Sequence, residues 1–85
     1  MLDHFVCMSF MFELYYRSPE DKAREARIVA EVAAGGGRLD CREPEDGAGG
    51  PICLTFEFES EAQAEAVAAA LRQRGEHVEQ VCSYG

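Results

Sequence analysis

Apolar and polar residues alternate in four stretches of the chain, and this period of two predicts β-strands. The clearest alternation covers residues 52–59, where every even position is Ile, Leu or Phe. Within residues 4–16 the even positions from 6 to 14 are all apolar and the odd positions are mixed, which indicates a strand with one face on a core and one face partly in water. Shorter alternations over residues 38–43 and 77–83 complete a set of four strands.

Two segments between these strands have helical spacing and helix-end signals. Ser18 and Pro19 are typical of a helix start, and the glycines at 35–37 predict its end. Ser60 with Gln63 forms the capping pattern of a second helix, which Gly75 terminates. The apolar faces expected on the two helices consist of Ala26, Val29, Ala30 and Ala33, and of Ala62, Ala66, Val67, Ala70 and Leu71.

The predicted order β-α-β-β-α-β resembles the ferredoxin-like split-βαβ fold. The resemblance implies an α+β domain whose four-stranded antiparallel sheet carries both helices on one face. No linker divides the chain, so residues 1–85 are expected to form a single domain. The side chains expected in the core are Val6, Met8, Phe10, Phe12, Val29, Leu54, Phe56 and Leu71.

Within this fold, ACT-type regulatory domains are similar in architecture to the predicted chain. That resemblance implies amino-acid binding at a subunit interface, usually with a glycine or an aspartate in the first strand–helix loop. Neither residue type occurs between Tyr16 and Ser18. The resemblance therefore implies a tendency to self-associate and leaves the ligand open.

Charge excludes several partner classes. The chain has 16 acidic and 8 basic side chains and a net charge of −8, whereas nucleic-acid binders depend on clustered Lys and Arg. We therefore expect neither nucleic acid nor membrane as a partner. The longest uncharged apolar run, residues 5–12, is far shorter than the ~20 residues of a membrane-spanning helix. The first residues lack the basic region of a signal peptide, so a soluble, cytoplasmic protein is expected.

The four cysteines, Cys7, Cys41, Cys53 and Cys82, are widely and irregularly spaced. Structural zinc sites usually take their ligands in close pairs, so the spacing predicts no metal, and no cofactor is expected. Each cysteine lies in a predicted strand, where a free thiol packs as a small hydrophobic group. A thiol or metal site formed by Cys7 and Cys53, on neighbouring strands, is kept as an alternative.

The mixed face of the predicted sheet, opposite the helices, is the most informative feature for function. It has too many apolar residues for a fully hydrated surface and too many charged residues for a core. This mixed composition is typical of an interaction surface. Asp40 and Thr55 are expected there as well. The candidate ligand or interface residues are Phe5, Cys7, Met11, Glu13, Tyr15, Arg42, Cys53 and Glu57.

These observations favour a non-enzymatic interaction or regulatory module that forms a homodimer through its sheet, with Arg42 pairing with acids across the interface. A Cys–His or paired-carboxylate catalytic site needs its groups within hydrogen-bond reach, and the sequence pattern does not establish such reach. One alternative is a small enzyme or ligand-binding protein with a pocket at this face or at the subunit interface. The other is the thiol or metal-binding protein.

Overall fold

The structure is a computed structural model that describes residues 8–17, 19–44 and 50–84. Two helices and five strands follow one another in these residues. They are β1 (Ser9–Tyr16), α1 (Lys22–Ala34), β2 (Gly37–Glu43), β3 (Ile52–Phe58), α2 (Glu61–Gln73), β4 (His77–Val78) and β5 (Cys82–Tyr84). The predicted α+β class, with two helices and an antiparallel sheet, is confirmed.

The strands form one sheet in the order β2-β3-β1-β4, and β5 also pairs with β1. Every one of these pairings is antiparallel. The prediction of four strands needs correction, because the last predicted strand is divided into β4 and β5. Between them, the Arg72 guanidinium donates hydrogen bonds to the carbonyl groups of Val78 and Glu79, at 3.2 and 3.0 Å. The Glu79 N–H still donates to the Glu13 carbonyl of β1 at 2.8 Å, so the break in the edge strand lies between Glu79 and Cys82.

One face of the sheet packs against both helices and forms the core. Even-numbered residues of β1 and β3 supply this face because side chains alternate across a strand. The rings of Phe12 and Phe56 lie 5.7 Å apart at their centroids, within the range in which aromatic pairs attract. The single cluster that results joins sheet and helices into one packed unit.

The predicted core is partly correct. Met8 is 47% exposed, because it precedes β1 and has no sheet neighbour to cover it. Phe10 and Val29 are partly buried against the core, and Val6 lies outside the described residues. The expected core residues that are buried are Phe12, Leu54, Phe56 and Leu71.

The side that α1 turns to the sheet differs from the predicted one, and the buried side of α2 agrees with the prediction at Val67 and Leu71 only. The buried residues of α1 are Glu25, Ile28 and Val32, and those of α2 are Ala64, Val67, Ala68 and Leu71. The residues wrongly assigned to the buried faces and found exposed are Ala26, Ala30, Ala33, Ala62 and Ala66. The reason is area: larger side chains such as Ile and Val remove more apolar surface from water than alanine does, so they set the rotation of each helix.

The helix ends agree better with the sequence prediction than the buried helix faces do. Asp21 caps α1 by accepting a hydrogen bond from the Arg24 backbone N–H at 2.9 Å, so the helix begins after Pro19 and not at it. The predicted cap, Ser18, lies outside the described residues. Ser60 caps α2 as predicted, with a bond of 3.2 Å from the N–H of Gln63.

No helix in the described residues is long and apolar enough to cross a bilayer.

An irregularity in β2 changes which side chains share a face. The register of β2 on β3 shifts between Leu39 and Cys41, and Asp40 is left without a partner in β3. The alternation after the bulge is displaced by one residue, so Arg42 lies opposite Leu54, on the helix side of the sheet. Bulges of this kind disrupt pairing by a foreign strand and are common in edge strands such as β2.

Candidate functional site on the open sheet face

The sheet surface opposite the helices, here called the open face, is built from the odd-numbered residues of β1 and β3 and the residues paired with them. Five of the predicted site residues lie on it, namely Met11, Glu13, Tyr15, Cys53 and Glu57. Phe5 and Cys7 lie outside the described residues. Arg42 is on the other side of the sheet.

A groove of about 300 Å³ crosses the open face where β4 ends and β5 begins. It exists because the interrupted edge strand leaves a gap beside β1. The residues that line it are Met11, Phe12, Glu13, Thr55, Glu79, Gln80, Cys82 and Tyr84. Tyr84 is 54% exposed, so an aromatic ring and two carboxylates of the groove are accessible to solvent.

Two carboxylates of the open face are hydrogen-bonded to neighbouring aromatic side chains. The Tyr15 hydroxyl donates to Glu13 Oε1 at 2.8 Å, and His77 Nε2 lies 2.6 Å from Glu79 Oε2. The hydrogen bond to Glu13 raises the pKa of Tyr15 above its usual range, since the neutral phenol is the form that donates. The Tyr15 and His77 rings are 6.0 Å apart, so the two pairs form one rim.

A cross-strand ion pair lies at the β2 side of the open face. Arg38 Nη2 donates to Glu57 Oε1 at 2.6 Å, and the two residues are direct partners in the ladder. A hydrogen bond from the Ser9 hydroxyl holds the pKa of Glu57 below its usual range, and the charge of Arg38 acts in the same direction. Arg38 therefore supplies on this face the cation that sequence analysis assigned to Arg42.

Cys53 belongs to the open side of β3 by its register, yet it is only 4% exposed. Burial raises the pKa of its thiol, which favours the unreactive protonated form. Its Sγ lies 4.0 Å from Thr55 Oγ1. Within residues 8–17, 19–44 and 50–84, no group of three or more His, Cys, Asp or Glu side chains is arranged to hold a metal ion.

Arg42 takes part in a network between β2 and the start of α1. Its Nε and Nη2 donate to the two carboxylate oxygens of Glu25 at 2.7 and 3.0 Å, and Nη2 also donates to Glu20 at 2.6 Å. The Tyr16 hydroxyl donates to the same Glu25 carboxylate and accepts from the Asp21 N–H at 2.9 Å. The placement of Arg42 on the open face is thus wrong, and the β2 bulge is the reason.

Sequence analysis placed Glu79 among the carboxylates of this face but did not identify Cys82 and Tyr84 as groove residues. The alternation over residues 77–83 is imperfect and left the register of that segment open. The structure pairs Cys82 with Met11 and Tyr84 with Ser9. The signal available in the sequence was the shared parity of Cys82 and Tyr84, which places both side chains on one face.

No family model and no curated protein matches this chain. Several solved structures are similar in fold, among them a natural domain and a designed protein. The solution structure of the C-terminal domain of the MgtC protein from Mycobacterium tuberculosis has a TM-score of 0.56 and 17% identity, over 98% of this chain and 92% of that one. The de novo designed protein Foldit4 has a TM-score of 0.57 and 14% identity, over 92% of this chain and 96% of that one. At these identities the likeness concerns the fold, and the chain is a small α+β domain of similar architecture.

Proposed function

We propose that this chain is a small interaction or regulatory module, not an enzyme, and that it forms a homodimer through the open face. The observation that carries the proposal is the composition of this face. It combines Met11 and the exposed ring of Tyr84 with Glu13, Glu57 and Arg38. Both helices pack on the opposite side, so a second copy is the simplest cover for these apolar groups.

The proposal includes a ferredoxin-like arrangement of the chain, with the ACT-type domains as its nearest architectural parallel. Support comes from the helices, which share one face, and from the central position of β1 and β3. The divided edge strand is a departure from that pattern. Because one fold hosts many functions, the regulatory role rests on this architectural analogy and on the open face. A cytoplasmic location, where thiols stay reduced, belongs to the same proposal.

Charge determines how two open faces fit together. Burying the carboxylates of Glu13 and Glu79 against a second copy without compensation is costly, so these groups belong at a hydrated rim. Glu57 already has Arg38 as its local partner. Met11 and Tyr84 are then the apolar centre of the contact. The chain has 85 residues, and a domain this small buries little core alone and gains stability from such association.

Sedimentation equilibrium over micromolar concentrations tests this proposal. A mass that approaches twice 9.4 kDa as concentration rises is the expected result. A monomer of 9.4 kDa throughout the range contradicts it.

A second candidate function is favoured by the groove on the open face. Its volume of about 300 Å³ is at the lower end of the ~300–1,000 Å³ typical of small-ligand pockets. A free amino acid, the ligand class implied by the ACT resemblance, is the appropriate probe. Titration of the protein with each amino acid, followed by amide shifts at Met11, Thr55 and Tyr84, distinguishes this candidate. Saturable shifts confined to those residues favour ligand binding, and unchanged spectra eliminate it.

A further inference from the structure

A second cleft, of about 220 Å³, lies in the helical layer, on the side of the molecule away from the open face. One wall comes from α1 and includes Arg24, Arg27 and Glu31. These residues are three and four positions apart, so they lie along one side of the helix. The other wall comes from the end of α2, with Arg74 at the helix cap and Glu76 just beyond it. Three of the eight basic residues of an acidic chain therefore meet in one place.

Two of these arginines are held in position by the walls. Arg24 donates to both carboxylate oxygens of Glu76, at 2.8 and 3.3 Å. Its guanidinium also lies over the Tyr16 ring, 4.9 Å from the centroid. Arg74 Nη1 donates to Glu31 Oε1 at 2.5 Å. These two guanidinium groups are therefore fixed parts of the cleft wall, each already paired with a carboxylate.

Arg27 differs from the other two arginines of the cleft. In the part of the chain that the structure describes, its side chain makes no hydrogen bond or ion pair. Three guanidinium groups thus face two carboxylates, and the cleft has one positive charge in excess. Ile28 and Leu71, both buried, form its apolar base. A charge is screened less beside such a base than in open water.

We propose that this cleft binds a small anion that carries carboxylate or phosphate groups. The planar fork of arginine matches both groups with two parallel hydrogen bonds, and Arg27 is the guanidinium available to make them. The volume of about 220 Å³ is below the ~300 Å³ at which drug-sized ligands begin, so the ligand is small. The cleft shares no residue with the open-face groove, and the proposal is independent of dimer formation.

Calorimetric titration of the full chain at low ionic strength tests the proposal, with inorganic pyrophosphate and citrate as the two probes. The expected result is saturable binding of one probe per chain by at least one of the two. Binding of pyrophosphate alone assigns the site to phosphate groups, and binding of citrate alone assigns it to carboxylates. Either outcome supports the anion site, whereas failure of both probes to saturate overturns it.

Two arginine variants locate the binding. Arg27→Gln removes an exposed guanidinium that the fold does not use and is expected to weaken binding at least tenfold, because the two charge-assisted hydrogen bonds of its fork are lost. Arg17→Gln removes the same charge at an exposed position outside the cleft and should change affinity less than twofold. Equal weakening by both variants indicates general charge attraction and contradicts the assignment.

Discussion

Arg42 and Glu25 form a two-point ion pair between the end of β2 and the first turn of α1, although 17 positions separate them in sequence. The Nε–Oε1 and Nη2–Oε2 distances are 2.7 and 3.0 Å. Glu25 is only 9% exposed, so salt and water screen this pair less than a surface pair. The contact joins the first turn of α1 to β2, and the Tyr16 hydroxyl adds a third bond to the same carboxylate.

Tyr16→Phe is expected to lower the free energy of unfolding by about 1 kcal/mol, because it removes a buried hydrogen-bond donor from Glu25 and an acceptor from the Asp21 N–H. Tyr15→Phe is the matched control, since its hydroxyl donates to the exposed Glu13 carboxylate. Urea unfolding of both variants measures the difference. Equal losses in the two variants contradict a stabilising role for the Tyr16–Glu25 bond.

Acid is expected to destabilise the fold through Glu25. The hydrogen bonds from Arg42 lower the pKa of Glu25 in the folded state. Its contribution is therefore fully present above the unfolded glutamate value of about 4.3 and is lost as the pH falls through the lower folded pKa. Glu57, whose pKa is also lowered, contributes with the same sign.

The measurement is the urea midpoint from pH 7 down to pH 3, compared between the unmodified chain and Glu25→Gln. The variant should start less stable at neutral pH and lose less on acidification. Glu65→Gln, at an exposed position on α2, controls for the loss of one negative charge. A Glu25→Gln curve parallel to that of the unmodified chain excludes Glu25 as a source of the acid sensitivity.

Phe56→Ala is expected to cost about 3–5 kcal/mol, because it empties a fully buried site at the centre of the core. This is a large share of the stability of a small domain. Leu39→Ala is the control, since Leu39 lies opposite Phe56 in the ladder but is 37% exposed. Its cost in thermal or urea unfolding should be well below that of Phe56→Ala. A comparable cost would place Leu39 in the core.

Met11→Arg is expected to weaken the proposed homodimer at least tenfold, because it puts a long cation where an apolar side chain packs in the contact. Leu39→Arg makes the same chemical change at an exposed site away from the open face. Sedimentation of both variants beside the unmodified chain gives the dissociation constants. A dimer that is weakened by Leu39→Arg and not by Met11→Arg moves the interface to the β2 edge.

Thiol reactivity should separate the cysteines of the described residues. In a Cys7→Ser background, the exposed Cys41 and Cys82 are expected to react quickly with a thiol reagent, and Cys53 only after denaturation. Burial shields Cys53 and raises the pKa of its thiol, and both effects slow reaction. If three thiols react quickly in the native protein and Cys53→Ser lowers that number to two, Cys53 is a candidate functional thiol after all.

Local patterns were sufficient to predict both helices, the first three strands and their order along the chain. The alternation over residues 52–59 predicted β3, because a strand with one buried face must alternate. Ser60 and Gly75 predicted the ends of α2, because capping depends on residues within one turn. The placement of Met11, Glu13 and Tyr15 on one face followed from parity along an uninterrupted strand.

Contacts between distant parts of the chain decided the rest. The bulge at Asp40 moved Arg42 to the helix side, where it meets Glu25, and no local pattern marks a bulge. The rotation of α1 depended on how much area Ile28 and Val32 could bury against the sheet, which alanine spacing alone does not reveal. Sequence by itself therefore determined the two helices and the first three strands, since these depend on neighbouring residues. Tertiary structure determined which faces meet and which charges pair, since those depend on packing across the whole domain.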